Sequence, residues 1–198
     1  MIITIHPDNP EPRKIRQAVE VFQNGGVVIF PTDSVYAMGC DISNSKAFEK
    51  LCRIKGVKPQ KAQFSFLLND LSHISDYTKP FDREVFKLLK ANLPGPFTFI
   101  LNASSTVPTL FRNNRKTIGI RVPDHEITRQ LLIALGGPIA STSLHDDGDS
   151  FLEYMNDPYE IHERFEKEAD LVINGGIGKT KPSSIIDCTG DQPIMIRE

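Results

Sequence analysis

Short apolar runs alternate along this chain with stretches in which apolar residues return every three or four positions, and that alternation predicts an α/β fold. Ile2–Ile5 reads as a first strand. Pro12 suits a first helical turn, and Ile15, Val19 and Phe22 recur at helical spacing until Gly25 and Gly26 stop the helix. Val27–Phe30 is a fully apolar strand ended by Pro31. Ala47, Phe48, Leu51, Cys52 and Ile54 mark a second helix, Phe64–Leu68 a strand, and Val85, Leu88 and Leu89 a third helix. The breaker Leu93-Pro94-Gly95-Pro96 separates that helix from a strand at Phe97–Leu101. Beyond it come Thr117–Val122 (strand), Ile127–Leu135 (helix), Ile139–Thr142 (strand) and a charged helix around Tyr159–Lys167. The last three strands, Leu171–Ile173, Ser184–Asp187 and Ile194–Ile196, have no helix between them, so the sheet is expected to be mixed, with antiparallel members.

The chain of 198 residues fits one domain, residues 1–198, large enough to bury a sizeable core. With 39% hydrophobic and 24% charged residues it excludes disorder as the dominant state. No run approaches the ~18 apolar residues of a membrane helix. The first residues lack the basic and apolar regions of a signal peptide, so a cytoplasmic protein with no membrane partner is expected. Cys40, Cys52 and Cys188 cannot all pair with one another and show no CxxC spacing. Reduced thiols and no zinc site are expected.

The net charge of −2 hides a segregation. Lys46, Lys50, Arg53, Lys55, Lys58 and Lys61 crowd one segment against Glu49 alone, and Arg112, Arg115, Lys116 and Arg121 form a second basic cluster. Asp146 to Asp170 carries ten acids against Arg164 and Lys167. Two solvated faces account for this pattern as well as an anion-binding cleft walled by the basic segments does.

Familiar catalytic motifs are missing. Gly175-Gly176-Ile177-Gly178-Lys179-Thr180 has the end of a phosphate-binding loop, but Ile173 stands at its first glycine and Pro182 follows where a helix should start; a turn is the better reading. The five histidines show no metal spacing, and no GxSxG elbow exists for a hydrolase triad. Hydroxyl and cationic residues gather instead at strand ends: Thr32-Asp33-Ser34, Thr117 with Gly119 and Arg121, Ser141-Thr142-Ser143, and Ser183-Ser184. Such residues bind phosphate and carboxylate through charge-assisted hydrogen bonds, at the strand ends where open α/β sheets hold ligands. Arg121 lies among apolar neighbours and needs an anion, either an internal Asp or Glu or a ligand.

Several ordered segments resemble the YrdC/YciO family of L-threonylcarbamoyladenylate synthases. Pro31 to Gly39 resembles the signature PTETVYGLG, Pro94 to Leu101 resembles PGPxTxIL, and Ile120 to His125 resembles VRVPDH. Pro138 to Gly148 resembles PLxSTSANxxG, Pro182 to Asp187 resembles PSTVVD, and Arg197 matches the arginine of the family's closing strand. The resemblance spans the chain. It implies a twisted α/β sheet with a large concave cleft. The implied reaction joins L-threonine, bicarbonate and ATP into threonylcarbamoyl-AMP and pyrophosphate, for tRNA modification. ATP would enter as a substrate, with Mg2+, and no tightly bound cofactor is implied. By the resemblance, Thr32, Thr117, Arg121 and Ser183 contact threonine. Lys55, Lys58, Ser141, Ser143, His145 and Arg197 contact the nucleotide, with Lys55 and Ser143 catalytic.

Three departures stand out. The family's KxR becomes Lys55-Gly56-Val57, and a lysine at position 58 lacks the bidentate fork of arginine. The SxN becomes Ser143-Leu144-His145, and Leu68 replaces a histidine. These changes look like the YciO branch, with synthesis weakened or absent. The alternative is a non-catalytic protein binding double-stranded RNA or tRNA through Lys50, Arg53, Lys61, Arg112, Arg115 and Lys116, by shape and phosphates. Carbamoyl-adenylate chemistry, as in hydrogenase maturation proteins, is a third and weaker reading, since this short chain lacks their additional domains.

Overall fold

The computed structural model describes residues 1–108, 111, 116–144 and 154–198. Among them ten strands join in one sheet: β1 (Ile2–Thr4), β2 (Val28–Phe30), β3 (Ala37–Asp41), β4 (Ser65–Leu67), β5 (Phe97–Asn102), β6 (Thr117–Arg121), β7 (Ile139–Ser143), β8 (Leu171–Asn174), β9 (Ser184–Asp187) and β10 (Ile194–Arg197). Their spatial order is β1-β8-β2-β3-β7-β4-β6-β5-β9-β10. The sheet is mixed. β1 with β8, β2 with β8, β4 with β6 and β5 with β9 are parallel, and β2–β3, β3–β7, β4–β7, β5–β6 and β9–β10 are antiparallel. The antiparallel closing pair is the one expected from the helix-free end of the sequence.

The helices are α1 (Pro12–Gln23), α2 (Ser45–Ile54), α3 (Ile74–Tyr77), α4 (Arg83–Asn92), α5 (Glu126–Leu135) and α6 (Pro158–Phe165). Three of them begin or end for a plain local reason. Pro12 opens α1, the Asn44 side chain caps α2 by accepting from the Ala47 amide, and Gly136 in the left-handed region (φ 75°) closes α5. Ile15, Ala18, Val19 and Phe22 form the buried stripe of α1, which packs beside α5.

Register explains where the core stops. Residues paired across neighbouring strands point to the same side of a sheet. On one side Cys40, Ala140, Phe66, Ile120 and Phe99 follow one another across β3, β7, β4, β6 and β5, and they pack under α2 and α4 with Phe48, Leu51 and Leu89. On the other side α1 and α5 cover Val28, Phe30, Ile139 and Ile173. Further along that second side the row reads Gly39, Ser141, Ser65, Gly119 and Ile100, and a cavity opens over it from Ser141 onward. Among the described residues the sheet is thus clad on both faces over one half and bare on one face over the other.

Candidate functional site

The bare half-face is the floor of a trough with two lobes of about 320 Å³ each. Gln63, Ser65, Thr98 and Ile185 line both lobes, so they form one concavity. Arg121, Ser141, Ser143, Tyr154, Ser183 and Arg197 line the first. Asn102, Thr117, Gly119, Asp187 and Thr189 line the second, which has no lysine or arginine in its lining. Gly119 keeps the floor low. A Cβ there would come within 2.7 Å of Ser65 Oγ and 3.1 Å of Thr98 Cγ2.

Arg121, at the end of β6, is buried to 5% exposure. Its Nη2 donates to Ser34 Oγ (2.8 Å) and Thr32 Oγ1 (3.1 Å) and pairs with Asp33 Oδ1. The internal acid is therefore Asp33, of the loop between β2 and β3. Burial pulls the Arg121 pKa below the usual arginine value, the Asp33 carboxylate pushes it back, and nearby Arg197 lowers it further. Nε of Arg121 and Oδ2 of Asp33 are buried without a hydrogen-bond partner.

Thr32 organises the loop that grips this arginine. Its hydroxyl donates to Val35 O (2.7 Å) and accepts from the Ser34 amide (3.1 Å). The phenol of Tyr36 donates to Gly176 O (2.7 Å) and accepts from the Gly175 amide (3.2 Å); burial pushes its pKa up to about 12. Gly178 leaves room for the Tyr36 ring, which would lie 2.6 Å from a Cβ. The glycine-rich segment is thus a strap around Tyr36 that runs into β9 without a helix, as its proline implied.

Arg197, on β10, donates through Nε and Nη2 to Ser183 O at 2.9 and 2.7 Å, and Ser183 Oγ lies 2.9 Å from Thr98 Oγ1. Two guanidinium groups and a row of hydroxyls therefore face one space.

Thr32, Arg121, Ser141, Ser143, Ser183 and Arg197 come together here, and Thr117 lies in the adjoining lobe. Lys55 caps the C-terminus of α2 and Lys58 is exposed just before the Pro59–Lys61 turn; neither is among the residues lining the trough. Arg112, Arg115 and His145 lie outside the described residues. Of the other basic candidates, Lys50 is held by Asp170 at 2.6 Å, while Arg53, Lys61 and Lys116 are exposed. Sequence reasoning missed Ser65, Thr98 and the pairing of Asp33. Ser65-Phe66-Leu67 and Thr98-Phe99-Ile100 each set a hydroxyl beside a buried phenylalanine, and this alternation was the available signal.

A separate cavity of about 400 Å³, larger than either lobe alone, lies between the Leu68–Tyr77 segment and the end of α5. Asp70 and Asp76 are among its lining and no Lys or Arg is, so it suits an anionic ligand far less than the trough does. Among the described residues no cluster of three His, Cys, Asp or Glu could hold a metal. Burial pushes the Cys52 and Cys188 thiols up to about 11 and raises Cys40 further, so none is a ready thiolate. No described helix is long and apolar enough to cross a membrane.

Residues 20–198 match the Sua5/YciO/YrdC family, described as "Telomere recombination". The chain belongs to that family. It is 48% identical over 195 residues to the uncharacterized protein YciO of Escherichia coli, covering 98% of this chain and 93% of that one. The crystal structure of E. coli YciO superimposes with a TM-score of 0.93, at 45% identity over 100% of this chain and 95% of its own. A threonylcarbamoyl-AMP synthase of Halorhodospira halophila is 29% identical over 182 residues, 91% of this chain and 93% of its own. P. abyssi Sua5, solved in complex with L-threonine, matches with a TM-score of 0.90 at 27% identity, over 100% of this chain and 57% of the Sua5 chain.

Proposed function

We propose that the trough binds L-threonine and ATP and that the protein is a threonylcarbamoyl-AMP synthase of reduced activity. The observation that carries this reading is the pair Arg121 and Arg197 facing one hydroxyl-floored cavity. A carboxylate and a phosphoryl group are the anions such a pair selects, because both accept charge-assisted hydrogen bonds from the guanidinium N–H groups that the protein's own contacts leave over. The family's named synthases and the threonine complex of Sua5 support the same chemistry.

In the proposed reaction the threonine amine combines with bicarbonate, losing water, to give an N-carboxylate. An oxygen of that carboxylate forms a bond to the α-phosphorus of ATP, and the bond from that phosphorus to the bridging oxygen breaks, releasing pyrophosphate. No covalent enzyme residue is needed. Arg121 holds the amino-acid carboxylate and Arg197 neutralises charge growing on the α-phosphate. Ser141 and Ser143 donate to its oxygens, which is the electrostatic stabilisation such transfers need. Mg2+ would arrive on the ATP phosphates, held by their oxygens. Val57 is exposed beside Lys55 and offers no donor where the family's arginine stands, which is the reason for reduced activity.

Pyrophosphate release from ATP, with and without threonine and bicarbonate, tests the proposal, with mass spectrometry of the adenylate as the second readout. Release that requires both threonine and bicarbonate supports it. Threonine-independent ATP turnover, or salt-dependent RNA binding with no turnover at all, overturns it.

A further inference from the structure

Among the described residues four buried side-chain atoms have no hydrogen-bond partner: Asp33 Oδ2, Arg121 Nε, His125 Nδ1 and His162 Nδ1. Two of the four belong to the Arg121–Asp33 ion pair at the edge of the trough, and a third, on His125, belongs to the start of α5. Orphaned buried polar atoms are uncommon because each costs the full desolvation of the group, so a cluster of them marks a place where partners meet on slight adjustment or through water. Asp33 Oδ2 can only accept, and a neutral imidazole can donate from Nδ1. The two orphans are chemically complementary.

Their elements are tied together. His125 is the N-cap residue of α5, four positions after Arg121, and its own side chain makes no cap hydrogen bond. Thr128, in the first turn of α5, donates to Pro31 O at 2.6 Å, which fixes this helix start against the loop that carries Asp33. Asp33 is also the charge that acts most strongly on the imidazole, ahead of Asp8, Lys179 and Asp124, and the Glu126 carboxylate beside it in the chain faces it too.

We infer that His125 is a positioning residue: its Nδ1–H, directly or across one water, holds Asp33 Oδ2, and Asp33 in turn keeps the Arg121 fork aimed at the ligand. Asp33 then has both carboxylate oxygens engaged, one by Arg121 and one by His125. The arginine is left with its second amino group, Nη1, for an incoming carboxylate, while its Nη2 stays on the loop. In the neutral imidazole that contact needs the single proton to sit on Nδ1. Burial favours that neutral form and lowers the His125 pKa from its ordinary value. The ligand side of this inference rests on the reading of the trough as a threonine site; the His125–Asp33 contact does not.

Imidazole nitrogen NMR spectra of the full-length, 15N-labelled protein near neutral pH test the contact. The expected result is a neutral His125 protonated on Nδ1, with its signals displaced in Asp33→Asn. A proton on Nε2, or signals indifferent to Asp33→Asn, overturns the inference. Calorimetry with L-threonine tests the consequence. His125→Leu is expected to weaken binding about tenfold, and His125→Asn, which keeps an N–H where Nδ1–H was, to stay within about threefold of wild type. Equal loss in both variants, or loss in neither, reduces His125 to a packing residue and overturns the positioning role. Should the wild type take no threonine, the proposed function falls alone, and the imidazole spectra still decide the contact.

Discussion

Ser65 and Phe66 are neighbours in β4, yet one lines the trough and the other is buried under helices. Thr98 and Phe99, Gly119 and Ile120, and Ala140 and Ser141 repeat the division strand by strand. The period of two sends every second residue to each side, so a single set of strands builds a core face and a binding face at once. The core face is large and apolar, and its residues meet helices. The other face is small and hydroxylated, and over half the sheet it is open, among the described residues, to the trough. Stability and recognition are therefore written on alternate letters, and substitutions on the two faces should separate them.

The largest effect belongs to the core face. Phe66→Ala should cost about 3–5 kcal/mol of unfolding free energy in denaturant titrations, the range for emptying a buried aromatic site. Loss below about 1 kcal/mol would mean that this face is not the packed one.

Arg121 breaks the division in an informative way, because it points to the binding face but is buried. Arg121→Leu leaves the Asp33 carboxylate without its cation and should cost about 3 kcal/mol, in addition to abolishing ligand binding. Adding Asp33→Asn should restore most of the stability and none of the binding. A double variant as unstable as the single one would show that the charge pair is not the cause.

Acid should loosen the same corner. His125 has a folded-state pKa below its ordinary 6.5, so the unfolded chain binds the proton first as pH falls. The stability contributed by neutral His125 is complete above 6.5 and is lost as pH drops through the folded-state value. Melting temperatures across this window should decline in the wild type and decline less in His125→Asn; parallel curves would remove His125 from the acid response.

The smallest change in stability belongs to the floor. Ser141 Oγ reaches Ser65 O only at 3.5 Å, too long for a strong bond. Ser141→Ala should shift stability by less than about 0.5 kcal/mol. It should weaken nucleotide binding by about 1 kcal/mol, read by calorimetry. Unchanged affinity would take Ser141 out of the site.

Period and breakers made most of this fold legible. The strand runs around Val27–Phe30, Phe64–Leu68, Phe97–Leu101 and Thr117–Val122, and the helical stripes of α1, α2 and α5, lie where the sequence placed them. β3 was not read as a strand, because Met38-Gly39-Cys40 has neither β-branched residues nor alternation. It exists because it is buried almost throughout, filling the gap between β2 and β7, and Gly39 fits where a Cβ would lie 2.6 Å from Ile139 Cγ2. The four-residue α3 was too short to show a period. At the site, strand-end hydroxyls and two arginines were visible as residue types. Their convergence was not, since it depends on which strands neighbour in space, and β5, β6 and β9 are brought together by a crossover order no local pattern encodes. Lys55 was visible as one of the basic segment Lys46–Lys61 and gained a role only through the resemblance; the fold sets it at the C-terminal end of α2.

The two arginines also differ in how firmly their strands are held. β6 lies inside the sheet with partners on both sides, whereas β10 is its margin, with Ile194, Met195 and Ile196 exposed to 62%, 48% and 58%. Amides of a central strand are released only by global opening, while a thinly buried margin frays at far smaller free energy. The trough is therefore half-built on ground that breathes. A ligand spanning Arg121 and Arg197 would stitch that margin to the interior, and its arrival would be recorded as slowed hydrogen exchange along β10, while β6 keeps the protection it already has.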